Sequence, residues 1–303
     1  MIRGAVTAFT PLKVEVLPKY VYWQNMLTAS HLQIYCLAKY YWSAGSYPLI
    51  ISVINHKGGV GKSCIATNLA HALAARGKKV LVIDCDPQCN TSSIFTPEGD
   101  IAEPKSLYDI YAHNTPADKC IHKTSYENID VVINSPQITH LEVDLYQDVK
   151  KSYQILRKNM RKYATEHYDV TIIDNNPSLG LYTINSLIAS DCAIIPIEAG
   201  CRYSLDGFVA ALDAISSIAA RVNPELRFLK AVINKADGRT SISRASVDHI
   251  QRKFAAKVFS TVIHTDTKIK EAVAQKMTVL RHSPSCTASH KFRSLANEVL
   301  GLL

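Results

Sequence analysis

From position 49 onward, short apolar and β-branched runs recur along the chain, each followed by a polar turn and then by a stretch with helical spacing. Leu49-Ile50-Ile51-Ser52-Val53-Ile54, Val80-Leu81-Val82-Ile83-Asp84, Asp169-Val170-Thr171-Ile172-Ile173-Asp174 and Ala193-Ile194-Ile195-Pro196-Ile197 read as strands buried on both faces of a parallel sheet. Ile129–Ile133, Arg227–Asn234 and Val258–Ile263 extend the set. Between them, helices are predicted over Lys62–Arg76, Leu107–Tyr111, Tyr153–Tyr163, Leu205–Ala220, Ile242–Ala256, Lys268–Lys276 and Ala288–Leu300. The first places Ile65, Leu69, Ala72 and Leu73 on one face, and Gly77 supplies its left-handed stop. This alternation predicts an α/β fold with a mostly parallel central sheet flanked by helices on both faces.

Residues 1–48 have a different texture. Both tryptophans, Trp23 and Trp42, and six of the fifteen tyrosines lie there, with no clean period. Two readings stay open: an extension that packs its aromatics on the domain that follows, or a tail that never orders because translation starts further downstream. The chain is therefore divided into an extension of unknown role, 1–48, and one domain, 49–303. The longest charge-free run of the extension, Val21–Ala38, is interrupted by polar residues and would not span a bilayer.

Charge sharpens the picture. Of the 303 residues, 230–303 hold 13 Lys and Arg against 5 Asp and Glu, which equals the whole formal charge of +8. Such a basic surface suits nucleic acid. Eight scattered cysteines without a secretory signal are expected to be reduced thiols of a cytoplasmic protein, and Cys85 with Cys89 reads as packing rather than as half of a zinc site.

The candidate chemistry gathers where strands end. Asn55-His56-Lys57-Gly58-Gly59-Val60-Gly61-Lys62-Ser63 joins the first strand to the first helix, and its glycines free the backbone N–H groups to cradle phosphates at a helix N-terminus. Lys62 is placed to reach the terminal phosphates and Ser63 to ligate Mg²⁺, with Lys57 through Cys64 lining the nucleotide. Asp84, Asp86 and Asp174 lie at or just beyond strand carboxyl ends, facing the crevice where ligands bind. Asp174, closing four apolar or β-branched residues, is the carboxylate expected to hold the metal.

The loop departs from G-x-x-x-x-G-K-[ST], because His56 stands at the first glycine and a second lysine, Lys57, is added. The pattern K-G-G-x-G-K-[ST], the segment Asp84-Cys85-Asp86-Pro87-Gln88-Cys89-Asn90-Thr91 and the strand ending at Asp174 together resemble the ParA branch of the ParA/MinD family of deviant P-loop ATPases. The resemblance runs from Leu49 to the C-terminus. It departs at Asn176, where a proline is usual, and at His264-Thr265, where Pro-Arg is usual.

The resemblance implies a slow, partner-stimulated ATPase using ATP and Mg²⁺. It implies an ATP-dependent homodimer that binds DNA without sequence preference and sits on the nucleoid, with a ParB-like partner for plasmid or chromosome segregation or an adaptor for a protein cargo. It assigns Lys57 to the partner subunit's nucleotide, Asp86 to the attacking water, and Ser63, Asp84 and Asp174 to the metal and its surroundings. Asn234 would read adenine, and Arg239 and Lys268 would contact DNA. The last helix is expected to pack on the core through Phe292, Leu295, Ala296, Val299 and Leu300, not to target a membrane.

Overall fold

The structure, a computed structural model, describes residues 48–96 and 104–302. The extension to Tyr47 lies outside the described residues. An eight-stranded sheet runs in the order β3-β4-β2-β5-β1-β6-β7-β8. Its strands are β1 Leu49–Val53, β2 Val80–Cys85, β3 Ile121–Lys123, β4 Ile129–Val132, β5 Val170–Asn175, β6 Cys192–Glu198, β7 Arg227–Ala236 and β8 Val258–His264. Every neighbouring pair is parallel except β3 and β4. Every residue of β1, β2 and β5 is buried, as strands covered on both faces require.

The principal helices are α1 Lys62–Ala74, α2 Asn90–Phe95, α3 Leu107–His113, α4 Leu181–Ala189, α5 Arg202–Arg221, α6 Ser241–Lys253, α7 Thr267–Ala274 and α8 Thr287–Leu300. Leu81, Ile83 and Ile173 project from the strands into one layer with Leu107, Ile110, Leu156, Met160 and Leu181. The last helix, α8, packs on α1 and on β8, with Phe292, Leu295, Ala296 and Val299 buried. Truncating Phe292, which has no exposed surface, to Ala costs about 3–5 kcal/mol on the usual scale for buried aromatics. Its apolar stripe is thus spent on the core. Among the described residues no helix is long and apolar enough to cross a membrane.

Three elements depart from the pattern-based reading. The single helix expected over Tyr153–Tyr163 is broken into a π-helical stretch, Arg157–Arg161, followed by Lys162–His167. There the Arg157 and Arg161 guanidinium groups donate to the carbonyls of Ile188 and Ala189 at the end of α4. The helix α4 itself was hidden, because Ser186 and Asn185 interrupt its apolar run; both are buried and hydrogen-bonded, Ser186 to Ser52 of β1 and Asn185 to the Ser152 carbonyl. The edge strand β3 has only three residues and no apolar alternation.

Candidate nucleotide site

The loop after β1 is fixed before any ligand enters. Asn55 Nδ2 donates to the Pro196 carbonyl at 2.7 Å and its Oδ1 accepts the Lys57 amide at 2.8 Å, so the loop is tied to β6. Gly59 and Gly61 have φ of +77° and +91°, a region that side chains with a Cβ seldom adopt. Gly61 is doubly constrained, because a Cβ there would lie 2.2 Å from Nδ2 of Asn234. Over Gly59 the space is open, with nothing within 4 Å of where a Cβ would be. The backbone is thereby turned into a cradle that continues into the unpaired N–H groups of α1.

Lys62 is 7% exposed and donates to the Lys57 carbonyl at 3.3 Å. Burial lowers its pKa, and the nearby charges of Asp174 and Asp86 oppose that shift. Asp174 is wholly buried. Its Oδ2 accepts the Thr91 hydroxyl at 2.7 Å, the Ser63 hydroxyl lies close by, and its Oδ1 has no hydrogen-bond partner. Burial pushes the Asp174 carboxyl up to about 6 against the pull of those two hydroxyls. A buried carboxylate oxygen without a donor is costly unless a cation or water completes it. With Ser63 beside it, this donor set fits a hard divalent cation such as Mg²⁺.

Asp84, expected among the groups around the metal, is engaged otherwise. Its Oδ1 accepts the Asp86 amide at 3.0 Å, and its Oδ2 accepts the amide and hydroxyl of Ser92 at 2.8 and 2.7 Å. Burial, then the charge of Asp174, raises its pKa. Asp84 is the strut that shapes the turn carrying Asp86, whose Oδ1 in turn holds the Gln88 amide at 3.0 Å. Cys89 closes this turn with φ of +54°.

The other expected residues divide in two. Lys57 lies on the loop's outer side, its ammonium 2.8 Å from both Oε2 of Glu198 and Sγ of Cys201. Cys64 turns its sulfur toward Asn68, behind the loop, so only its backbone remains for a phosphate. Asn234, expected to read adenine, is 3% exposed and donates Nδ2 to the Val60 carbonyl at 2.8 Å; it braces the loop. Arg239 and Lys268 lie on the same end of the sheet, beyond β7 and β8, each paired within its own chain. Arg239 binds both oxygens of Asp237, and Lys268 binds Glu271 at 2.7 Å.

Pattern reading missed Thr91, Glu198, Cys201 and Lys235 as parts of this site. Thr91 closes the Asp84–Thr91 segment, and Lys235 directly follows the Arg227–Asn234 strand. Lys235 left no signal, because its role depends on a left-handed backbone, φ +54°, that sends Nζ to the Gly59 carbonyl.

A family described as "AAA domain" matches residues 49–228. The sporulation initiation inhibitor protein Soj of Bacillus subtilis is 32% identical over 252 residues, covering 82% of this chain and 97% of that protein. The chain belongs to the ParA/MinD family of P-loop ATPases. Within that family the chromosome partitioning protein ParA of Caulobacter vibrioides is 31% identical over 252 residues, 83% of this chain and 93% of its own length. Among solved structures, cobyrinic acid a,c-diamide synthase from Mycobacterium smegmatis, determined with bound ADP and magnesium, superposes with a TM-score of 0.70. It is 23% identical and covers 84% of this chain and 94% of its own, a likeness of fold that this ParA/MinD-family chain shares.

Proposed function

We infer that this chain is an ATP-driven DNA-partitioning switch: it dimerises on ATP, binds DNA without sequence preference in that state, and is released when a ParB-like partner speeds hydrolysis. The observation that carries this reading is the division of labour between the loop's two lysines. Lys62 is buried over the phosphate cradle, whereas Lys57 is about a quarter exposed on the outer side. One ammonium serves the loop's own nucleotide, and the other is positioned to leave it.

Gly58–Ser63 would hold the phosphates, and Ser63 with the free Oδ1 of Asp174 would hold Mg²⁺, which when bound neutralises charge on phosphate oxygens. Lys62 contributes a fixed positive charge in a water-poor site, where it acts more strongly than in solvent. Asp86, less than a tenth exposed and held by Asp84 and Gln88, orients the attacking water through its remaining oxygen. Lys57 enters the partner subunit's site only after leaving Glu198, which couples chemistry to dimerisation. Release from the partner sets the timing, so turnover of the isolated chain is slow.

For DNA, Arg239 and Lys268 exchange their carboxylates for backbone phosphates. Phosphate contacts carry no sequence information and release counterions. A salt titration of DNA binding with ATP, ADP and no nucleotide tests this on wild type and on Arg239→Glu/Lys268→Glu. Steep salt dependence confined to the ATP state and lost in the double variant is expected. Nucleotide-independent binding, or an unchanged salt slope in the variant, would refute the assignment.

A further inference from the structure

Two neighbouring strands carry the two halves of the nucleotide site. Strand β1 runs into the loop that leads to Ser63, and β5 ends in Asp174 and Asn175. Their paired register stops at Val53 opposite Asp174. From there the loop turns toward β6, through the Ile54 amide on the Ile194 carbonyl at 3.0 Å and through Asn55 on Pro196. On the β5 side a side chain takes over. Asn175 Nδ2 donates to the Val53 carbonyl and to the Ile173 carbonyl, each at 3.2 Å, so one amide bridges the carboxyl ends of both strands. The turn that follows leans on the loop as well. Pro177 Cβ lies 4.0 Å from where a Cβ on Gly58 would be, and Asn176 Oδ1 accepts the Thr183 hydroxyl of α4 at 3.1 Å.

This bridge is costly to the fold. Asn175 is wholly buried, and its Oδ1 has no hydrogen-bond partner. The amide cannot be turned round to relieve this, because both of its neighbours are carbonyls, which accept and do not donate. A buried acceptor left unpaired destabilises a protein, and an apolar side chain of the same shape would carry no such penalty. The Tyr111 hydroxyl is a second unpaired buried oxygen, in the layer that also holds Cys85, the residue opposite Asn175 on β2. The two differ in what else they do. The Tyr111 hydroxyl holds nothing, whereas Asn175 fixes β1 against β5 one residue from Asp174.

We propose that Asn175 is a positioning residue for the metal: its amide sets the span between Ser63, beyond the loop, and Asp174, across which Mg²⁺ is held. Acting through the strand ends, it needs no contact with nucleotide or metal. The inference rests on Ser63 and the free Oδ1 of Asp174 being the metal's ligands, and adds what keeps them at their separation. Mg²⁺ demands near-ideal octahedral geometry, so a small shift of one strand end against the other falls on the metal. The phosphate cradle is built from one continuous segment and is less exposed to such a shift. Residues that support metal ligands change metal affinity by about 10–100-fold when replaced.

The test is calorimetric titration of the full chain with ATP, once in excess magnesium and once in EDTA. The variants are Asn175→Leu, an apolar side chain of similar shape, Asn175→Ala, and Tyr111→Phe as a reference in the same buried layer. Both Asn175 variants should bind metal-free ATP within about twofold of wild type and lose about tenfold or more of the affinity that magnesium adds. Tyr111→Phe should keep that gain in full. Asn175→Ala cannot clash, so the same two ratios decide should Asn175→Leu fail to fold. A full magnesium gain in the Asn175 variants, or an equal fall in ATP affinity with and without metal, would overturn the proposal and leave the triphosphate site standing. A wild type that binds ATP equally well in magnesium and in EDTA would overturn the metal reading, and the proposal with it.

Discussion

Lys57 and Glu198 form an ion pair across the mouth of the phosphate loop, Nζ to Oε2 at 2.8 Å, in the same chain. Burial opposes the charge on Lys57, but its hydrogen bonds to Cys201 and Glu198 more than offset that and raise its pKa. The lysine is thus held protonated on its own subunit. Dimerisation must break this pair, and a partly exposed pair is worth about 0–1 kcal/mol. A symmetric dimer breaks two such pairs, so Glu198→Gln should shift ATP-dependent association toward the dimer, by up to about thirtyfold in its constant. Sedimentation equilibrium at limiting ATP would measure it; a weaker dimer in the variant would mean that Glu198 supports the interface.

Asp86→Ala removes the group placed to orient water and leaves Lys62, Ser63 and Asp174 in position. Hydrolysis should fall by about 10²-fold or more, while the ATP-bound dimer persists on DNA. Single-turnover hydrolysis alongside DNA retention reads both. A variant hydrolysing at the wild-type rate would show that another group orients the water.

Helix α5 approaches the loop at Gly207, where a Cβ would lie 2.4 Å from Oδ1 of Asn55 and 3.1 Å from Cβ of Lys57. Because Asn55 Oδ1 is the acceptor for the Lys57 amide, Gly207→Ala should displace the loop as well as strain the packing. A loss of about 1–3 kcal/mol is expected, with a weaker nucleotide affinity. Chemical denaturation and ATP titration on one preparation check this; an unchanged affinity would mean that the helix yields and the loop does not.

Much of this was legible in the residues. Continuous apolar runs announced β1, β2 and β5, because strands covered on both faces need no polar alternation, and the loop's glycines announced the cradle. What escaped was set by tertiary contact. Asp84 and Asp86 look equivalent in sequence, yet the hydroxyl and amide of Ser92 occupy one oxygen of Asp84 and make it a strut. Asn234 looked like a polar turn residue free for a base, but the absence of a side chain at Gly61 lets it close on the loop. Glu198 and Cys201 are far from Lys57 in sequence and meet it only because β6 lies beside β1.

His71 on α1 gives the fold an acid-sensitive joint. Its Nδ1 pairs with the Thr278 hydroxyl at 2.6 Å, its ring lies edge-on to Tyr126, and Arg281 stacks on that tyrosine. Burial, then the charges of Arg281 and Arg293, lowers its pKa to about 4. A histidine that stays neutral in the fold but protonates near 6.5 when unfolded stabilises fully above about pH 6.5. That stability is lost as pH falls toward 4, to the extent of about 3 kcal/mol. His71→Gln should flatten denaturation midpoints over that window relative to wild type, whatever its stability at pH 7. Parallel pH profiles would contradict the assignment.

The central claim is that the loop's two lysines serve different subunits. Equilibrium ATP binding measured together with sedimentation velocity, on wild type, Lys62→Ala and Lys57→Ala, tests it most directly. Lys62→Ala should abolish nucleotide binding, whereas Lys57→Ala should bind ATP as a monomer at near wild-type affinity and fail to dimerise. Equal loss of binding in both variants, or an ATP-dependent dimer of Lys57→Ala, would contradict it.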